Sequence, residues 1–166
     1  MANKLVQQKL VDTNKRALIK YIFISDGTVN TNSVLVDVSQ LNYALNANGQ
    51  IMVSDTDQRD SYSTSVKRIF GAGNFSGSGY VKLQWQGDSN SEIVIIPSTS
   101  FNFEMSSITG EVSVITNPEA NTNGDILFST VNVSANDTMT LFIELRKDSR
   151  DYDAGQTADP VAFNRG

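Results

Sequence analysis

The segment Thr138-Met-Thr-Leu-Phe-Ile-Glu-Leu-Arg-Lys147 has the clearest periodicity in the chain. The apolar residues Met139, Leu141, Ile143 and Leu145 alternate with residues that are mostly polar. Successive side chains of a β-strand project to opposite faces, so this spacing predicts a long strand with one apolar face. It is the last strong strand signal before a polar tail, and we expect it to be the final strand of a packed β domain.

Further segments rich in β-branched and aromatic residues precede it at short intervals. They are Ala17–Ile24, Ser33–Val38, Tyr62–Phe70, Tyr80–Trp85, Glu92–Ile96, Ser100–Met105 and Gly124–Thr130. No alternation of strands with long helices is present, and this disfavours α/β folds. The spacing predicts an all-β protein, an antiparallel β-sandwich or jelly-roll-like barrel with extended N- and C-terminal arms and at most one short helix.

Five segments carry local predictions of their own. Ala17–Ile24 is apolar on both faces apart from Lys20, which is typical of a central strand covered on both sides. Tyr80–Trp85 and Glu92–Ile96 flank a short turn-forming segment and should form a hairpin. Ser39–Asn46 has helical spacing and predicts one or two helical turns, with Ser39 as a possible cap. Gly71–Gly79 contains four glycines and predicts a flexible connection.

The composition excludes several classes of chemistry. The 166 residues include no cysteine and no histidine, so disulfides, thiolate nucleophiles, serine–histidine pairs and histidine-ligated metals are ruled out. Enzymes based on carboxylates, lysine or tyrosine remain open. A formal net charge of -5 argues against broad nucleic-acid binding. No run of about 18 apolar residues is present, and the first residues lack the apolar core of a secretory signal, so we expect neither a membrane span nor a targeting segment.

The chain divides into three predicted parts: an N-terminal arm or edge strand over residues 1–16, a β-sandwich domain over 17–147, and a C-terminal arm over 148–166. The first part is basic and could be an ordinary edge strand or an arm lying on a neighbouring subunit. The last part is polar but retains Tyr152, Val161 and Phe163. It could pack back on its own domain, lie on a partner, or remain disordered.

Acidic residues form three groups with oxygen-rich spacing. The groups are Asp148, Asp151 and Asp153, then Asp55, Asp57 and Asp60, and then Asn121, Asn123 and Asp125. Loops of alternating acids can bind Ca²⁺, but none of the groups has the full spacing of an EF-hand loop. We therefore favour ion pairs and turns at these positions and predict no metal and no cofactor.

Two functional alternatives remain open. Glu104 and Glu144 would have to line one cleft to serve as the carboxylate pair of a glycoside hydrolase. Tyr62, Tyr80 and Trp85 would have to be exposed together to form a carbohydrate-stacking platform. Trp85 falls on the apolar face of its strand, so core packing is the favoured interpretation.

Several segments resemble small virion proteins of tailed bacteriophages, those of marine phages and cyanophages in particular. They are Met1-Ala-Asn-Lys-Leu-Val, Ile24-Ser-Asp-Gly-Thr28, Tyr80-Val-Lys-Leu-Gln-Trp85, Gly124-Asp-Ile-Leu and Arg146-Lys147. The resemblance implies a non-enzymatic structural protein of the phage particle, made in the host bacterial cytoplasm. A capsid decoration or cement protein is favoured, and a neck or tail component or a receptor-binding sandwich of a tail fibre is the alternative.

The resemblance implies no catalytic residues. Its expected partners are the major capsid protein or other virion proteins and further copies of the chain, without nucleic acid or membrane. Arms of such proteins gain affinity because they are tethered to an already docked domain. We predict partner contacts on the two arms, at Lys4, Lys9, Arg16, Arg150, Tyr152, Val161 and Phe163.

Overall fold

The computed structural model describes residues 2–104 and 114–152 of the chain. Two antiparallel sheets pack face to face, and this confirms the predicted all-β sandwich. In chain order the strands are β1 (Lys4–Asp12), β2 (Arg16–Asp26), β3 (Ser33–Val36), β4 (Thr64–Asn74), β5 (Tyr80–Trp85), β6 (Glu92–Ile96), β7 (Ser100–Glu104), β8 (Ile115–Thr116), β9 (Ile126–Val131) and β10 (Ala135–Lys147).

The larger sheet has the order β1-β2-β10-β4-β7, and β8 also pairs with β4. The smaller sheet has the order β3-β9-β5-β6. The last strong strand signal in the chain therefore forms a central strand of the larger sheet. Its four predicted apolar residues are buried, with exposures of 0 or 1%. The predicted hairpin of Tyr80–Trp85 with Glu92–Ile96 is confirmed as β5 and β6 of the smaller sheet.

The glycine-rich segment after Phe70 does not begin a flexible connection, because β4 continues through it to Asn74. A Cβ atom on Gly71 would lie 2.0 Å from the backbone oxygen of Thr140 in β10, and one on Gly73 would lie 2.6 Å from the ring of Phe75. The two glycines thus allow β10 and a buried phenylalanine ring to approach the backbone of β4 closely. The prediction of a flexible linker is wrong for Gly71–Asn74.

The predicted helical segment contains a single 3-10 turn over Val38–Gln40. Asp37, and not Ser39, caps it, since the Asp37 carboxylate accepts a hydrogen bond from the backbone nitrogen of Ser39. Leu41 is already extended, and the next residues form isolated bridges with other parts of the chain. A second 3-10 turn covers Asp55–Asp57. Long-range pairing therefore overrides the weak helical spacing.

The first five residues of the predicted C-terminal arm turn back onto the sandwich. Tyr152 is fully buried, and the centroid of its ring lies 5.7 Å from that of Tyr62. Its hydroxyl donates a hydrogen bond to the backbone oxygen of Val38 at 2.8 Å. Burial raises the pKa of Tyr152 far above its ordinary value. Tyr152 thus belongs to the protein's own core, which corrects its assignment as a partner contact. Val161 and Phe163 lie outside the described residues.

Candidate interaction surface

The larger sheet has one face packed against the smaller sheet and one face that no other described element covers. Along β2, Ala17, Ile19, Tyr21 and Phe23 point inward and are fully buried. Ile22 and Ile24 point the other way and are 37% and 40% exposed. The prediction that this strand is covered on both sides is therefore wrong within the described chain, since only one sheet packs on it.

The register of the strands identifies the other residues on this uncovered face, because residues directly opposite each other in an antiparallel pair share a face. We call it the outer face and define its apolar part by residues from four adjacent strands. They are Val6 of β1, Leu18, Ile22 and Ile24 of β2, Phe142 of β10 and Phe70 of β4. Val6, Ile22 and Ile24 are exposed and the other three are half-buried, and apolar surface that remains accessible in this way is typical of a protein interaction site.

Two stacked phenylalanine rings form the centre of the outer face. Phe70 and Phe142 lie opposite each other on β4 and β10, with ring centroids 4.7 Å apart and planes 5° from parallel. The Arg68 guanidinium lies 4.2 Å from the centroid of Phe70, and Lys20 Nζ lies 5.8 Å from that of Phe142. Cation–π contacts of this type contribute about 0.5–1 kcal/mol each at exposed sites. The arrangement places the two rings face to face across β4 and β10, with a cation beside each ring.

Charge on the outer face differs in sign from that of the whole chain. The register places five cationic side chains and three carboxylates there, namely Lys4, Arg16, Lys20, Arg68 and Arg146 with Asp26, Glu104 and Glu144. One carboxylate is already engaged, since Arg16 Nη1 lies 3.2 Å from Glu144 Oε2. The formal net charge of the chain is -5. The outer face is therefore a locally basic, apolar-centred surface on an acidic protein.

Strand β1 borders the outer face and is the edge of the larger sheet. Of the strands that the structure describes, it pairs only with β2, and seven of its nine residues are exposed. Leu5 and Leu10 add exposed apolar surface, at 36% and 43%. The structure thus shows residues 4–12 as an edge strand of the sandwich, one of the two forms expected for the N-terminal part.

A buried ion pair attaches the end of β1 to the end of β10. Lys147 Nζ donates to Asp12 Oδ1 at 2.5 Å, to the backbone oxygen of Thr13 at 2.6 Å and to that of Asn42 at 2.8 Å. The side chains of Lys147 and Asp12 are 0% and 5% exposed. Three acceptors satisfy all three N–H groups of an ammonium ion. Burial lowers the pKa of Lys147, and Asp12 opposes this shift.

The predicted arm contacts fall at separate places. Lys4 is exposed on β1, whereas Lys9 donates to the backbone oxygen of Gln40 at 2.7 Å and Arg16 pairs with Glu144. Arg150 forms an ion pair with Asp148 at 2.7 Å and lies beyond the far end of β10. The structure brings Lys4 and Arg16 onto the outer face but leaves Arg150 outside it.

The residues of the alternative functions are arranged as follows. Glu104 and Glu144 share the outer face, with Arg68 of β4 between their strands, since both lie opposite this arginine. Tyr62 and Trp85 are buried, with exposures of 2% and 1%, so they form no exposed stacking platform with Tyr80. The favoured interpretation of Trp85 as a core residue is confirmed.

Most of the acidic groups have partners within the chain. Asp148 pairs with Arg150, and Asp151 pairs with Arg59 at 3.0 Å. The Asp125 carboxylate accepts from the backbone nitrogen of Val38 at 3.0 Å, and burial raises its pKa. In the described ranges no group of three acidic side chains has an arrangement that could hold a metal ion. Asp153 lies outside those ranges.

Sequence reasoning missed Ile22, Ile24, Phe70 and Phe142 as candidate contact residues. A signal for them was present in the apolar residues on both faces of Ala17–Ile24 and in Phe142 among the polar positions of β10. In both strands, apolar side chains lie on the face opposite the core, and such a face is expected to be covered. What the sequence alone did not indicate is that the part of the chain that the structure describes provides no cover there.

Comparison of the chain with protein-family models, curated proteins and solved structures finds no match. Across residues 2–104 and 114–152, no helix has the length and apolar character required to cross a membrane. The functional argument therefore depends on the surface just described.

Proposed function

We propose that this protein is a non-enzymatic structural protein of a tailed-bacteriophage particle, of the capsid decoration or cement type. The observation that carries the proposal is the uncovered outer face, where Ile22, Ile24 and the stacked pair of Phe70 and Phe142 lie on a rigid sheet. A surface of this composition is favourable in water only when a partner covers it. The sequence resemblance to small virion proteins supplies the class of partner.

The charge of the outer face indicates the chemistry of the partner surface. Lys4, Lys20 and Arg68 surround an apolar centre, so the partner should present apolar side chains bordered by carboxylates. Complementary charges increase the association rate and select the orientation of docking. A shell subunit with such a patch would bind the decoration protein by its outer face and leave the smaller sheet directed outward. Nucleic acid would not use the apolar centre.

Repetition explains how a modest contact can be sufficient. A symmetric shell presents the same patch many times, and each bound copy adds contacts between shell subunits. Neither a cofactor nor a catalytic group is needed for this role. The role also requires a scaffold that keeps its shape when bound, and the central position of β10 in the larger sheet provides one.

The proposal can be tested on purified particles. Density-gradient-purified virions from the source culture should contain peptides of this chain in an amount comparable to that of the shell subunit. A few copies per particle would indicate the neck or tail instead, and absence from intact particles would overturn the proposal.

A binding experiment then tests the surface itself. Recombinant protein should pellet with particles that lack it, and the double substitution Ile22→Ser with Phe142→Ser should reduce the pelleted fraction by at least tenfold. Val53→Ser is a matched control, since Val53 is 89% exposed and lies outside the outer face. Equal pelleting of the double variant and the wild type would show that another surface is used.

A further inference from the structure

Strand β1 is a preformed edge that can accept another strand. Among residues 2–104 and 114–152 it has a neighbour on one side only, so within this part of the chain its second side presents unpaired backbone N–H and C=O groups. Both ends are fixed: Asn3 bridges to Thr28 and to Asp26, and Asp12 is bound by buried Lys147. An edge held in the extended conformation loses little conformational entropy when a further strand pairs with it.

The apolar surface of β1 is also unusual for an edge. Natural sheets commonly protect their edges with charged residues, prolines or bulges. Here Leu5, Val6 and Leu10 are 36%, 44% and 43% exposed, and a bulge interrupts the pairing between Lys9 and Val11. The segment before the bulge is therefore regular and apolar enough to pair with another strand.

We infer that β1 pairs antiparallel with β1 of a second copy of this chain, which joins two larger sheets into one continuous sheet. The sequence of the strand, Lys4-Leu-Val-Gln-Gln-Lys-Leu-Val-Asp12, is complementary to itself about Gln8. A two-fold axis at Gln8 places Val6 of each copy opposite Leu10 of the other. It also places Gln7 opposite Lys9 and Gln8 opposite Gln8.

Other positions of the axis are less favourable. An axis at Lys9 would place two lysines opposite each other, and like charges directly opposite are destabilising. An axis at Gln7 would place Lys9 opposite Leu5 and Lys4 opposite Leu10. Of these three positions, the axis at Gln8 is the one that pairs apolar with apolar residues and keeps the lysines apart. It also joins the outer faces of the two copies on one side of the combined sheet.

The bulge limits this pairing to a closed dimer. Beyond Lys9 the register shifts, so Val11 and Asp12 no longer continue the face alternation of the first residues. The regular ladder therefore covers residues 7–9 of each copy, and at each of its ends Val6 of one copy meets the bulged Leu10 of the other. Since both β1 edges are used in an isologous contact, that edge of the combined sheet cannot extend further.

The oligomeric state of the purified full-length chain tests the inference. Light scattering after gel filtration should give twice the 18.1 kDa mass of the chain at micromolar concentrations. Gln8→Lys would place two ammonium groups opposite each other and should shift the protein to the monomer. The control Gln50→Lys makes the same charge change in an exposed loop and should leave the dimer intact. A wild-type monomer, or a dimer that tolerates Gln8→Lys, would overturn the inference.

Engineered cysteines test the register, since the chain has none of its own. Opposite residues of antiparallel strands have Cα atoms about 4.5–5.5 Å apart, within the range of a disulfide. Gln8→Cys alone should form a covalent dimer under mild oxidation. Val6→Cys alone and Leu10→Cys alone should not, since like positions would be roughly 13 Å apart. The double variant Val6→Cys with Leu10→Cys should cross-link.

Equal cross-linking of all three single variants would contradict the register and overturn the inference. These experiments use the isolated chain in solution. They therefore test the dimer independently of the proposed attachment to a phage particle. The dimer could be found while particle attachment fails, and particle attachment could be found while the dimer fails.

Discussion

Strands β10 and β1 belong to the same sheet, but they have opposite environments. β10 has thirteen residues, lies between β2 and β4, and buries alternate side chains from Asp137 to Lys147. β1 has nine residues, has β2 as its single neighbour among the described strands, and leaves seven of its residues exposed. Both contain apolar residues of similar kind, so composition does not separate them. What separates the two strands is the number of neighbouring strands and whether the smaller sheet extends over them.

The residues on the inward-pointing side of β1 show how far the smaller sheet extends across the larger one. Leu5, Gln7 and Lys9 lie opposite Phe23, Tyr21 and Ile19, which are fully buried. Yet all three β1 residues are exposed, because the smaller sheet has only four strands and does not extend over the edge of the larger one. A leucine thus contributes to the core or to an interaction surface according to its position across the sheet.

The contact that joins the two strands should give the largest effect on stability. Lys147→Ala would leave the Asp12 carboxylate buried without its main cationic partner, and we expect a loss of about 3–5 kcal/mol in the free energy of unfolding. Urea denaturation followed by tryptophan fluorescence measures it. Lys4→Ala, at an exposed position of β1, is the control and should change stability by less than about 0.5 kcal/mol. Similar values for the two variants would contradict the role of the buried pair.

Identical truncations in the two strands test the comparison most directly. Leu141→Ala in β10 removes a fully buried side chain and should cost about 2–5 kcal/mol. Leu10→Ala in β1 removes one that is 43% exposed and should cost about 0.5 kcal/mol or less at concentrations where the chain is monomeric. Thermal or urea unfolding of both variants provides the measurement. Equal losses would mean that β1 is covered within the monomer.

A smaller effect is expected on the outer face of β10 itself. Phe142→Ala removes one ring of the stacked pair, and the coupling with Phe70 should amount to about 0.5–1.5 kcal/mol. A double-mutant cycle with Phe70→Ala separates this coupling energy from the free energy that each ring contributes through its own burial. A coupling near zero would show that the two rings are independent in solution.

The smallest change in stability should come from the exposed isoleucines of β2. Ile24→Thr replaces a side chain that is 40% exposed and should alter the free energy of unfolding by about 0.5 kcal/mol or less. Ile19→Thr, on the buried face of the same strand, should cost several times more. Particle binding should show the reverse sensitivity, since only Ile24 lies on the outer face. A strongly destabilised Ile24→Thr variant would show that the outer face is needed for folding.

Local patterns predicted much of the secondary structure because they depend on neighbouring residues. The alternation of Met139, Leu141, Ile143 and Leu145 predicted which side chains of β10 are buried. The turn at Gly87–Asn90 predicted the β5–β6 hairpin, whose pairing is local. The segment Gly71–Asn74 was misread because its glycines provide close approach to β10 and space for Phe75, and neither partner can be seen within the segment.

By itself the sequence determined the fold class, the buried face of the longest strand and that these 166 residues supply no imidazole or thiol group. The tertiary structure decided that the last strong strand signal lies at the centre of a sheet, that Tyr152 completes the core and that residues 2–104 and 114–152 leave the outer face of β2 uncovered. The physical reason is that alternation specifies which side chains need burial. What buries them depends on which strands pair and how far the opposite sheet extends, and these are contacts between residues far apart in the chain.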